Sequence, residues 1–188
     1  MKYLKFLLIA FLLVYTGEIF AQSEAEMKAW QAYMTPSENH KVLAKDAGKW
    51  KTEMTAYMDP KAAPIKSVGT AETSMILGGR YQHMVYKGEM MGMPFEGISV
   101  IGYDNAKKVF VNSWIDNMGT GMMVLEGKWD KPGKTLTYTG TSVDPMTGKD
   151  IKIRQVVTIE NDQSQSMEMY MTHDGKEIKT MDLKMTKM

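Results

Sequence analysis

The 188-residue sequence predicts a mainly β protein, a single antiparallel up-and-down β-barrel of about ten strands behind short N-terminal helices. Three observations carry that expectation. From Gly48 onward, apolar and polar residues alternate with a period of two, as half-buried strands do. Turn signals recur at even intervals, among them Asp59-Pro60, Gly78-Gly79, Asp104-Asn105, Pro132-Gly133, Asn161-Asp162 and Asp174-Gly175. No helical run separates the segments, and a meander of this many strands closes most naturally into a barrel, which removes its edges.

The elements follow in order. Residues 1–21 read as a secretory signal peptide: Lys2 and Lys5 make a basic start, an apolar run follows from Phe6 to Tyr15, and Ala21 is a small residue at the expected cleavage point. Gly17 and Glu18 interrupt that run well short of the ~20 apolar residues a membrane span needs. With no Cys, lipid attachment of the bacterial lipoprotein kind is excluded. The expectation is export to the periplasm or the extracellular space, not as a lipoprotein, with no membrane span once the leader is removed.

Residues 22–47 form the helical segment. Met27, Trp30 and Met34 share one stripe of a first helix. Thr35-Pro36-Ser37-Glu38 starts a second with a cap, a proline at the first position and an early glutamate, and Gly48 ends it. Both read as a lid packed on something larger. Residues 48–188 form the barrel, with strands expected at 49–58, 67–76, 80–87, 95–103, 107–116, 120–129, 134–143, 150–160, 165–173 and 177–186. In 150–160, Ile151, Ile153, Gln155, Val157 and Ile159 share a face; in 165–173, Met167, Met169, Met171 and His173 do.

Composition narrows the function. Removing the leader takes Lys2, Lys5 and Glu18 from 23 basic and 22 acidic residues, leaving the two signs equal. A nucleic-acid partner, which calls for a basic excess, is not expected. The absence of Cys excludes disulfides, thiolate metal sites and cysteine nucleophiles. Methionine is abundant, with 20 in the chain.

Several motifs stand in a fixed order: Gly48-Lys49-Trp50, Gly78-Gly79-Arg80-Tyr81, Gly92-Met93-Pro94-Phe95-Glu96-Gly97, Gly102-Tyr103-Asp104-Asn105, Trp114-Ile115-Asp116 and Met118-Gly119-Thr120-Gly121. Together they resemble the bacterial family known as domain of unknown function 1579, over about His40 to Lys187. That resemblance implies no particular chemistry. Gly48-x-Trp50 is also similar to the first strand of lipocalin-like barrels, the calycin group, where the tryptophan packs across the closed end, often against a late arginine. The only late arginine here is Arg154. Haem-binding barrels of that group carry further glycines after the tryptophan, whereas Lys51-Thr52-Glu53 stands here, so no cofactor is expected.

Catalytic motifs are missing. Gly97-Ile98-Ser99-Val100-Ile101-Gly102 misses the nucleophile-elbow spacing by one residue, and no zinc-binding spacing occurs. The leading expectation is therefore a non-enzymatic barrel that binds a small, mostly apolar or amphipathic molecule inside. Trp114, Tyr81, Tyr103, Met169 and Met171 would supply contact area, and Arg80 and Asp116 would orient the ligand's polar end. Against this, Asp116 has the alternative of capping the following turn. A second class is Cu(I) handling by the soft thioethers of Met167, Met169 and Met171 with His173, although methionine also serves as apolar filler. A third is an enzyme pairing Asp116 with a histidine.

Overall fold

A computed structural model describes residues 23–59 and 61–188; the expected signal peptide lies outside the described residues. The chain divides into two units, Met1–Thr35 and Pro36–Met188. In the first lies α1 (Glu24–Met34), started by a reciprocal cap: Glu26 N–H donates to Ser23 Oγ (3.2 Å) and Ser23 N–H to Glu26 Oε2 (2.7 Å). Its Met27, Trp30 and Met34 are exposed.

The second unit opens with α2 (Glu38–Lys45) and continues as ten strands: β1 (Gly48–Ala56), β2 (Ile65–Ile76), β3 (Tyr81–Met90), β4 (Met93–Asp104), β5 (Val109–Asp116), β6 (Met123–Lys131), β7 (Thr135–Val143), β8 (Asp150–Asn161), β9 (Ser164–His173) and β10 (Lys176–Lys187). Each strand pairs antiparallel with the next, and β1 pairs with β10 to close the barrel. The fold is mainly β, as the alternation predicts.

Parity decides which side chains meet inside. Trp50, Thr52, Met54 and Ala56 alternate inward on β1 and stand opposite Lys187, Met185, Leu183 and Met181 of β10. Register shifts after Trp129, Ile159 and Lys179 correct the phase where it would drift. The register through Gly97 is unbroken, so Gly97 stays in phase with the inward Phe95 and Ser99.

Two buried clusters fill the α2 end and one wall. Phe110, Leu125, Leu136, Tyr138 and Ile153 gather under Leu43 of α2, while Trp50, Ala71, Tyr86, Phe95 and Met185 gather beside them. The cation that meets Trp50 is Lys187 of the last strand, with Nζ 5.5 Å from the ring centroid. Arg154 is not that partner. It points outward, lies 4.0 Å over the Tyr170 ring, and makes a two-pronged ion pair with Glu177.

Candidate functional site

The closed end is built by α2, which side chains from four strands hold in place. Ser37 N–H donates to His40 Nδ1 (2.8 Å), fixing the helix start. Gln82 of β3 donates its amide to Leu43 O (2.9 Å) and to Asp46 Oδ2 (3.0 Å). Trp50 of β1 donates its indole N–H to Asp46 O (2.8 Å), Trp129 of β6 donates to Asn39 Oδ1 (2.9 Å), and Lys187 of β10 donates to Lys45 O (3.0 Å). Three of these bonds reach carbonyls at the helix's C-terminal end, those of Leu43, Lys45 and Asp46, and Leu43 O also accepts the backbone N–H of Asp46. Burial pushes the Asp46 carboxyl above the usual carboxylate range, against the pull of the Gln82 bond and of Lys187. Burial, helped by the charge of Arg80, holds His40 below the usual imidazole value. Burial also raises the phenol of Tyr138.

Above this floor lies a cavity of about 780 Å³, running from Leu43 and Asp46 to Met118 and Met122 at the opposite end. Its two long walls differ chemically. On β3, β4 and β5, Tyr86, Phe95 and Trp114 form a chain of rings: Tyr86 meets Phe95 edge-on at 5.5 Å, and Phe95 stacks on Trp114 at 6.3 Å. Halfway round the ten-strand ring, β9 and β10 present Met167, Met169, Met171, Met181, Leu183 and Met185. Rigid rings thus face flexible, polarisable thioethers. Polar groups are set into both walls. Ser99 Oγ donates to Asn112 Oδ1 (2.8 Å), and Gln155 Nε2 donates to Met169 Sδ (3.6 Å).

The rings lie flat because glycines make room. A Cβ on Gly97 would overlap the indole of Trp114, and one on Gly127 would lie 2.5 Å from the Tyr138 ring. A third site is at Gly69, where a Cβ would lie 2.9 Å from the Tyr86 hydroxyl and 3.0 Å from Thr52 Oγ1.

The mouth is rimmed by methionine. Of the five connections there, four carry exposed methionines: Met58, Met91, Met118 with Met122, and Met146, which is 93% exposed. The described hairpin turns at the α2 end carry none. Met188 stands at that end, after β10.

The structure separates the expected site residues into three groups. Trp114, Asp116, Met169 and Met171 line the cavity. Tyr103 packs beneath it, 4.9 Å edge-on to Phe110 and 6.0 Å from His40. Arg80 and Tyr81, expected to touch ligand, do not line it. The Gly78-Gly79 turn, with φ of 68° and 80°, places Arg80 at the α2 end, where its Nη1 donates to Leu77 O (3.2 Å). Gln82 takes the first inward position of β3, so Tyr81 faces outward with its ring over Gly102.

Asp116 sits at the mouth with both oxygens engaged. Oδ2 accepts the Trp114 indole N–H (2.8 Å), while Oδ1 accepts the backbone N–H of Met118 (2.9 Å) and of Gly119 (3.2 Å). It pins the Trp114 ring and shapes the turn. Met167, Met169, Met171 and His173 are strung along ~20 Å of one strand rather than gathered at a point, and His173 is exposed at its end. Among the described residues, no group of three or more His, Asp or Glu is placed to hold a metal ion.

Sequence reasoning missed Asp46, Gln82 and Tyr86 as cavity residues. The available signal was polar character at inward parity, which Gln82 shows on its own strand. Asp46 gave none, because its place depends on how α2 turns into β1.

A family model described as a protein of unknown function (DUF1579) matches residues 35–187. No curated protein matches the chain. Among solved structures, the crystal structure of Rv2717c from M. tuberculosis is similar, with a TM-score of 0.61 and 11% identity. The match covers 82% of this chain and 99% of that one. At that identity the likeness concerns the fold.

Proposed function

Because the chain belongs to the DUF1579 family, whose description assigns no activity, we propose from the geometry that it is an exported binding protein that holds a small, flat, mostly apolar molecule inside its barrel. The observation that carries this reading is the cavity of about 780 Å³ with an aromatic wall facing a methionine wall. Its size falls within the range of ~300–1,000 Å³ typical of small-molecule sites. A planar ligand would lie between the Phe95 and Trp114 rings on one side and Met167 and Met169 on the other. The rings fix its plane, and the thioethers adapt to its outline. The polar groups that reach the lumen, among them Asn112 and Gln155, would select orientation. Export rests on the basic start, apolar run and small residue of residues 1–21.

The test is native mass spectrometry of the protein isolated from its own host's extracytoplasmic fraction, followed by titration with naphthalene. The expected results are a retained mass of a few hundred daltons and saturable quenching of tryptophan fluorescence. A bare polypeptide that naphthalene leaves unquenched would overturn the reading.

A further inference from the structure

The wall formed by β1, β2 and β3 holds a feature that packing alone does not account for. Thr52 Oγ1, Ser67 Oγ and the Tyr86 hydroxyl are each buried with no hydrogen-bond partner. Such groups in an interior each cost about 1–3 kcal/mol when left unmet, so three within one patch of wall call for a partner. They belong together in space. Thr52 stands directly opposite Gly69, and Ser67 opposite Met54, in the β1–β2 ladder. A Cβ on Gly69 would lie within 3.0 Å of both the Tyr86 hydroxyl and Thr52 Oγ1. A Cβ on Gly88 of β3 would also lie 3.0 Å from that hydroxyl. The two glycines thus leave a notch in the wall that the Tyr86 hydroxyl enters, beside Thr52 Oγ1 and the Lys87 carbonyl, which would lie 2.5 Å from a Cβ on Gly69.

The geometry points to this notch as the subsite that receives an uncharged oxygen of the cavity's ligand, a hydroxyl or a carbonyl; the inference rests on the ligand-binding reading above and adds a chemical class to it. Hydroxyls both donate and accept, so together they meet either kind of oxygen. The inward neighbours Met54, Ala71, Met84 and Phe95 carry no charge. A carboxylate or ammonium would be desolvated there without a counter-ion. Tyr86 is 4% exposed and lines the cavity, which places the notch at the end of the aromatic wall. Access runs past Met54, which lines the cavity one inward step from Thr52 and whose unbranched chain changes rotamer readily. A buried water is the other source of an uncharged oxygen, and the experiment separates the two.

Naphthalene, 2-naphthol and 2-naphthoate are titrated into the protein, into Tyr86→Phe and into the double variant Tyr86→Phe/Thr52→Val, with thermal midpoints recorded for each. Wild type is expected to bind 2-naphthol about tenfold more tightly than naphthalene, the size of one net hydrogen bond, and to bind 2-naphthoate more weakly than 2-naphthol. The double variant should bind 2-naphthol no more tightly than naphthalene, and a cooperative thermal transition shows that it folds. Equal binding of naphthalene and 2-naphthol by wild type overturns the inference. So does a preference that survives in the double variant, or a variant that shifts only the thermal midpoint, as a structural water would give. Failure of all three probes to bind wild type overturns the ligand-binding reading itself.

Discussion

A methyl group added at Gly97 would overlap the indole of Trp114, the ring that Asp116 pins and Phe95 stacks on. Gly97→Ala should therefore cost about 1–3 kcal/mol and displace the ring into the cavity, weakening naphthalene binding. Gly119→Ala, where an added Cβ meets nothing within 4 Å, is the control and should be neutral in both readouts. Thermal midpoint and tryptophan emission check the pair. Two residues at the floor bring opposite pH dependences. His40 is held below its ordinary 6.5, so its contribution is complete above that value and is lost as pH falls through the folded pKa. Asp46 is held above its ordinary 3.8, so its contribution is present below that value and is lost as pH rises through the folded pKa. Asp46→Asn keeps an acceptor for Gln82 and removes the second loss. Its thermal midpoint should equal or exceed wild type at pH 7, and wild type should gain on it as pH falls toward 4. An advantage for wild type that grows with pH would contradict the assignment.

At the scale of elements, the two ends of the barrel are made of different material. The α2 end is tied by side chains from β1, β3, β6 and β10, whereas the mouth connections carry Met58, Met91, Met118, Met122 and Met146 in the open. Dilute hydrogen peroxide should therefore convert these methionines to sulfoxides well before the buried Met54 and Met185, with peptide mass spectrometry giving the order. Equal rates at both sets would show that the barrel opens on that timescale. Most of this layout was legible in the sequence. Alternation predicted ten strands whose ends shift by a few residues in the structure, and strict parity put Trp114, Met169 and Met171 inside. Parity acts along one strand, however, and what stands across the barrel does not follow from it. The facing of the Tyr86–Trp114 wall by the Met167–Met171 strand comes from closure. The hydroxyl notch comes from register between β1 and β2. Arg80 and Tyr81 looked like ligand contacts because a cation and a ring follow a glycine turn. That turn lies at the α2 end, and inward parity on β3 begins with Gln82.

At the scale of the whole molecule, every strand has two partners, and the last covers the first. Removing β10 would strip Met181, Leu183 and Met185 from the methionine wall and leave β1 and β9 as long unpaired edges. A chain ending at Asp174 should show no cooperative thermal transition by circular dichroism; a sharp one would mean that nine strands suffice. The pairing of Trp50 with Lys187 also governs time. The hairpins from β1 to β10 are local and close early, but the seam that makes them a barrel joins residues nearly a domain apart in sequence. Loop-closure entropy is met before that seam returns anything. Zipping of β1 to β10 is therefore the expected slow step of folding, and the cavity is complete only once those two strands have paired.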